Sequence, residues 1–264
     1  MIKIGEKLNS SIPSTFAAFE KKDAAFVCDI AKKQADAGAN YIDINTAMCE
    51  NESEMLVWVA QNVQKTVGEI PLMIDCVNVQ AIEFLFDRLP LKNPIINSVT
   101  LNQSRIDDIL PLVKKYNTSV VAMPIDEDGI PKTAQQRVQN AVKLITLFEQ
   151  HKIAHERIFV DIVVEAAATG WDTPSFALDA TQQLRGLYPD VHLLAGLSNV
   201  SFGLPKRAAI NGAFLTCAIK NGLDAAIMDV TSENLLLNIA ATELMIGKDE
   251  YCGNYLQAFR ELNQ

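Results

Sequence analysis

The apolar runs of this 264-residue chain tend to stop at a carboxylate or an amide. The run from Pro71 reaches Asp75, that from Pro94 reaches Asn97 and Ser98, that from Ile158 reaches Asp161, and that from His192 reaches Ser198 and Asn199. Three others carry Glu6 and Asn9, Asp43 and Asn45, and Asp229, while Arg207 follows closely behind Asn199. The set is rich in carboxylates and amides and nearly without bases. An ionised carboxylate accepts two parallel N–H donors as a fork, and an amide donates and accepts at once without titrating. These types suit hydrogen-bond recognition and proton placement rather than nucleophilic attack. Asp43 and Asp229, each in a run that then turns, read as ties to neighbouring backbone amides. Asp75, Asn97, Asp161 and Asn199 resist assignment to separate caps. Burying several uncompensated polar groups at one place is costly, and a ligand with many hydrogen-bonding atoms removes that cost.

One architecture brings such run ends together. About eight short runs rich in Val and Ile begin at Ile2, Tyr41, Pro71, Pro94, Ser119, Ile158, His192 and Ala225. They are almost continuously apolar, as strands buried on both faces must be. Between them lie amphipathic stretches. "DAAFVCDIAKKQADAGA" stops at Gly38, "ESEMLVWVAQNVQKTVG" stops at Gly68 with Trp58 in step with its apolar stripe, and "TAQQRVQNAVKLITLFEQH" starts at a Thr cap. "SFALDATQQLRGLYP" and "TSENLLLNIAATELMIG" follow the same pattern, the latter capped by Thr231 or Ser232 and stopped by Gly247. Strand and helix alternating over this length predict one (β/α)8 TIM barrel of the α/β class, a single domain over residues 1–264. An open doubly wound sheet would present a Gly-rich turn such as GxGxxG, and no such motif occurs. In a barrel the chemistry gathers where the strands finish, which is where these polar residues stand.

Composition removes several classes of function. The net charge of −9 disfavours nucleic acid, whose phosphates need a basic face, and an anionic membrane surface. No apolar run reaches the roughly 20 residues of a membrane span, and the N-terminus lacks the apolar core of a signal sequence. The five cysteines form no CxxC and, with that N-terminus, fit a reducing cytoplasm. Cys76, next to Asp75, reads as a buried small hydrophobe rather than a reactive thiol. His151, His155 and His192 have no zinc spacing, so no metal site is expected.

A flat heterocycle with mixed donors and acceptors matches two carboxylates and two asparagines. A 2-amino-4-oxo pterin offers an amino group beside a ring N–H, and one carboxylate takes both. The segments "GEKLN" at Gly5, "YIDIN" at Tyr41, "MIDCVN" at Met73, "INS" at Ile96, "VDIVV" at Val160 and "GLSNVSFGLPKR" at Gly196 together resemble the pterin-binding methyltransferases. That family includes the methyltetrahydrofolate:corrinoid protein methyltransferases and the folate module of cobalamin-dependent methionine synthase. The resemblance runs from Gly5 to about Cys252, and "GLSNVS" is its most specific part.

The resemblance implies a cytoplasmic methyltransferase of one-carbon metabolism, moving a methyl group between nitrogen 5 of tetrahydrofolate and the cobalt of a corrinoid. Tetrahydrofolate and 5-methyltetrahydrofolate are its substrates. The corrinoid is expected on a partner protein, because the chain has no Asp-x-His-x-x-Gly loop, and the enzyme is expected as a homodimer. It would serve acetyl-CoA synthesis or a demethylase system that loads methyl groups onto tetrahydrofolate. Asp75, Asn97 and Asp161 stand where relatives hold the pterin ring. Asn199 stands where they address nitrogen 5, with Ser198 and Arg207 in the same loop. Asn199 and Asp161 are the expected catalytic groups, while Glu6, Asp43 and Asp229 are lesser candidates for the site. The loop from Glu165 to Phe176 departs from the family pattern and bears on which partner docks. Two alternatives stay open at this point. One is dihydropteroate synthase-like condensation, although that enzyme has a lysine where this chain has Asn199. The other is a non-catalytic folate-binding module.

Overall fold

Each of the apolar runs becomes one strand of a closed, all-parallel barrel in the computed structural model, which describes residues 1–262. The strands are β1 (Ile2–Asn9), β2 (Tyr41–Asn45), β3 (Leu72–Asp75), β4 (Ile95–Val99), β5 (Ser119–Ala122), β6 (Ile158–Asp161), β7 (His192–Gly196) and β8 (Ala225–Met228). They pair in chain order, and β1 closes the barrel against β8. This is the predicted TIM barrel. The fifth strand stops at Ala122, one residue before the expected Met123.

The helices around it are α1 (Pro13–Glu20), α2 (Ala24–Asp36), α3 (Glu52–Val67), α4 (Val79–Phe86), α5 (Gln103–Lys115), α6 (Ala134–Gln150), α7 (Thr173–Leu187), α8 (Arg207–Lys220), α9 (Glu233–Met245) and α10 (Gly253–Leu262). Their starts are set by short polar caps. Asp23, Asn51, Asn78, Asn102 and Thr133 each accept from a first-turn backbone N–H. α9 departs from expectation. Ser232 is its N-cap but makes no side-chain cap bond, and the Thr231 hydroxyl donates to Asp229 instead, at 2.6 Å.

Period-two alternation divides every strand into an outer and an inner face. Outward residues such as Ile42, Ile74, Ile96, Val160 and Leu193 pack beneath the helices. Inward residues form a second cluster of Ile4, Met73, Ile95, Val121, Phe159, Leu194 and Ala225, which fills the barrel interior. Two residues further along, the same inner face carries Glu6, Asp43, Asp75, Asn97 and Asp161, after the inward Ile4, Tyr41, Met73, Ile95 and Phe159. The apolar layer is therefore a floor, and the polar layer stands directly on it.

β1 carries a local irregularity beside that polar layer. Its register against β2 shifts between Gly5 and Leu8. The fully buried Gln34 of α2 accepts from Lys7 N–H at 3.0 Å. A Cβ at Gly5 would lie 2.3 Å from Gln34 Oε1, so only glycine admits this prop.

Candidate ligand-binding site at the carboxyl ends of the strands

A cavity of about 1070 Å³ opens above the apolar floor. Its wall includes Glu6, Asp43, Asp75, Asn97, Asp161, Ser198, Asn199 and Arg207. Eight of the nine candidate residues are thus brought together from β1, β2, β3, β4, β6 and the segment after β7. Asp229 lies outside the lining and forms an ion pair with Lys7 Nζ at 2.7 Å. Burial works against its charge, but hydrogen bonds from Lys7 and Thr231 hold its carboxyl below the ordinary range.

Asn45, Asp75 and Asn97 are direct neighbours across β2, β3 and β4. Asn45 Nδ2 donates to Asp75 Oδ2 at 2.8 Å, which fixes one carboxylate oxygen. Burial raises the Asp75 pKa, partly opposed by that bond and by the Arg105 charge. Arg105 spans the ends of β3 and β4. Its guanidinium donates to the carbonyls of Ser98 at 2.9 Å, Val77 at 2.7 Å and Cys76 at 2.9 Å. Cys76 is buried behind this wall with its thiol pushed up to about 12 by burial and by Glu52, so it is an inert packing group.

Asp161 stands across the barrel. Its Oδ1 accepts from Val163 N–H at 2.7 Å. Burial pushes its pKa up to about 6, restrained by the Val163 N–H and the Arg137 charge. Asp43 has the opposite surroundings. It is buried, its Oδ1 has no partner among the described residues, and burial together with the charges of Asp75 and Glu6 raises its pKa well above the ordinary carboxylate range. Glu6 is also raised, chiefly by burial, and accepts from Ser198 Oγ at 2.9 Å.

After β7 the chain enters a 3-10 turn, Leu197–Ser201. Asn199 sits on the cavity side of this turn, and its side chain makes no hydrogen bond among the described residues. The amide folds back over Gly196, where a Cβ would come within 3.0 Å of Asn199 Nδ2. Arg207, at the start of α8, steadies the turn by donating to Ser198 O at 2.6 Å and Ser201 Oγ at 2.9 Å. The turn is braced, and the exposed amide it carries has no partner among the described residues.

Sequence reasoning missed Gln34, Arg105 and Arg137. The arginines carried a signal. Each stands in the first turn of its helix, where the helix dipole disfavours a cation, and Arg137 also falls on the apolar stripe of α6. Among the described residues no group of three or more His, Cys, Asp or Glu side chains could hold a metal ion. His151 faces Lys114, and His155 pairs with Glu149.

The barrel itself is widely shared. It superposes on dihydropteroate synthase from Coxiella burnetii in complex with pteroic acid with a TM-score of 0.67, covering 94% of this chain and 93% of that one at 16% identity. A Yersinia pestis dihydropteroate synthase with a pterine-sulfa conjugate gives 0.68 over 93% and 94%, also at 16% identity. At that identity the likeness shows the fold alone. Sequence relatives are closer. The chain is 39% identical to the methylcorrinoid:tetrahydrofolate methyltransferase of Eubacterium limosum, over 99% of this chain and 97% of that protein. It is 28% identical to the methionine synthase of Mycobacterium leprae over 86% of this chain, which spans only 20% of that longer protein. Residues 5–229 match the family described as pterin binding enzyme, and that span holds every candidate site residue. The chain belongs to the pterin binding enzyme family.

Proposed function

We propose that this protein transfers a methyl group between nitrogen 5 of tetrahydrofolate and the cobalt of a corrinoid carried by a partner protein, running from corrinoid to folate. The observation that carries the reading is the near full-length match to a relative named for that transfer. The cavity supports it with the donors and acceptors a pterin requires.

In this reading Asp161 accepts from the pterin amino group and its adjacent ring N–H as a fork, Oδ2 taking one donor and Oδ1 the other through the lone pair that the Val163 N–H leaves free. Asn97 and the free oxygen of Asp75 take the remaining ring atoms. The apolar floor beneath gives the ring a flat surface. Asn199 addresses nitrogen 5 from the 3-10 turn, and its amide can accept from an N–H or donate to a lone pair by rotating. Methyl transfer to nitrogen 5 releases a proton, and the reverse requires one, because the departing nitrogen is amide-like. A buried carboxyl with a raised pKa such as Asp43 can carry that proton: ionised, it accepts the proton leaving nitrogen 5, and protonated, it returns one in the reverse direction. No covalent enzyme intermediate is needed, and the catalysis consists of alignment and preorganised hydrogen bonding.

The corrinoid is too large to enter, so its carrier must cover the mouth. Met48, Val77, Trp171 and Phe202 are exposed apolar side chains on the loops after β2, β3, β6 and β7. They form two pairs on opposite sides of the opening, and exposed apolar groups around a polar mouth suit a protein partner. The reading includes a cytoplasmic homodimer, supported by the unpaired cysteines and the family resemblance respectively. Among the described residues no helix is long and apolar enough to cross a membrane.

The test is single-turnover mixing of the protein with tetrahydrofolate and a methylated corrinoid, free or protein-bound, followed by chromatography of the folates. Stoichiometric 5-methyltetrahydrofolate is expected. Tight folate binding with no transfer from any corrinoid would reduce the protein to a binding module. Turnover of a pterin pyrophosphate with aminobenzoate would make it a condensing enzyme.

A further inference from the structure

The guanidinium of Arg137 is only 1% exposed, an unusual fate for a cation. It lies behind β6, outside the cavity lining. It donates to the carbonyls of Pro131 at 3.4 Å and Ile162 at 3.3 Å, to the carbonyl of Val163, and to Glu165 Oε2. Two of these partners belong to one turn. Val163 has φ of 53°, a left-handed conformation that a β-branched residue adopts only under compulsion. The arginine holds the carbonyls on both sides of the Ile162–Val163 link. That turn swings Val163 N–H back onto Asp161 Oδ1 at 2.7 Å, leaving Oδ2 without a partner among the described residues.

We propose that Arg137 is a positioning residue for the reaction, setting both the orientation and the charge of Asp161 from behind the strand. The inference rests on the reading that Asp161 holds the pterin as a carboxylate. Its orienting half follows from the turn. Its electrostatic half follows from what faces Asp161: Arg137 from α6 favours the charged form, while Asp75 from β3 and burial oppose it. A fork-shaped cation is required because the backbone carbonyls and the carboxylate are bound at once, which a lysine cannot reproduce. Glu165 neutralises part of the guanidinium charge, so it tempers the effect of Arg137 on Asp161.

The experiment measures the tetrahydrofolate dissociation constant from acid to alkaline pH for the wild type and four variants, with thermal melts as a control. The ligand's own titration is common to all, so differences between variants report the protein. In the wild type, affinity should fall as pH drops through about 6, where Asp161 takes up its proton. In Arg137→Met that acid limb should move up by about one pH unit, because the nearby positive charge is gone. Arg137→Lys should leave the limb near its wild-type position while weakening affinity severalfold. Glu165→Gln should move the limb down, opposite to Arg137→Met, and it keeps the arginine's bonds to the backbone, so it reads the charge even if Arg137→Met does not fold. Asp161→Asn should abolish the limb. An Asp161→Asn variant with wild-type affinity and limb would remove the functional reading beneath the inference. Loss of the limb in Asp161→Asn, with Arg137→Met or Glu165→Gln leaving it where the wild type has it, would overturn the inference alone. A merely structural arginine would lower stability or affinity in each variant without moving the limb in opposite directions.

Discussion

Asp43 and Asp161 stand on opposite walls of one cavity, four strands apart in a ring of eight. Both are inward carboxyl groups, both follow an inward aromatic residue by two positions, and burial raises the pKa of both. They part because of what lies behind them. Asp161 has a backbone N–H on one oxygen and a buried arginine nearby, which hold it within reach of ionisation at neutral pH. Asp43 has an unpartnered oxygen and two further carboxyl groups as neighbours, which disfavour its charged form. Environments that push like groups apart separate charge-bearing from proton-bearing roles. In the proposed reading the β6 wall recognises donors and the β2 wall exchanges a proton.

The strongest challenge to this contrast is removal of the charged member. Asp161→Ala should weaken tetrahydrofolate binding by about 2–4 kcal/mol, since ring donors are left unpaired in a closed site. Isothermal titration in excess chelator measures it and also tests whether binding needs a metal. An unchanged dissociation constant would make Asp161 a loop tie like Asp229. Asn199→Ala probes a third kind of group, neither charged nor titrating. Loss of one preorganised hydrogen-bonding group should slow methyl transfer by roughly ten- to a thousandfold. Folate affinity should change by about tenfold or less, the net worth of one hydrogen bond. A variant that transfers normally once saturated would place Asn199 among the ring contacts. Trp171, 93% exposed beside the β6 wall, belongs to the rim rather than the cavity. Trp171→Ala should raise the KM for the corrinoid protein by about ten- to thirtyfold, as for an aromatic anchor of an interface. Single turnover with free corrinoid should stay as in the wild type, and equal loss in both assays would remove the rim from docking.

How much of this was legible beforehand follows from range in the chain. The barrel was readable because the alternation of apolar runs and helical stripes is local and repeated. The polar layer was readable because in β3, β4 and β6 it falls on the last inward residue of an apolar run. α1 and α4 were not, since eight residues carry too little periodicity to separate from a loop. α5 was obscured by its internal Pro111. Arg105, Arg137 and Gln34 were missed because each acts on backbone that is distant in sequence and irregular in shape. A register shift in β1 or a left-handed valine after β6 has no local signature. Asp43 was read as a backbone tie for the same reason. The environment of Asp43 depends on the absence of a partner for Oδ1 and the presence of Asp75 and Glu6, which the pairing of β1, β2 and β3 brings near.

The smallest change in ligand affinity is expected at Asp43, and it sharpens the comparison most. Asp43→Asn replaces a carboxyl whose charged form burial disfavours with a neutral group of similar shape, so folate should bind within about threefold of wild type, the scale of a swap that unpairs no charge. The physical effect should appear in stability instead. In the unfolded chain this carboxyl loses its proton near its ordinary value of 3.8, whereas in the folded protein it keeps the proton well above that. A raised folded pKa contributes stability that is fully present below the unfolded value and is lost as pH rises through the folded one. Asparagine has no proton to lose and escapes that loss. Denaturant melts from acid to neutral pH should therefore show the variant gaining on the wild type as pH rises, then running parallel once the wild-type carboxyl ionises in the fold. Curves parallel throughout would mean that Asp43 is charged in the native protein. The two walls of the cavity would then be alike, and the proton exchanged at nitrogen 5 would need another carrier.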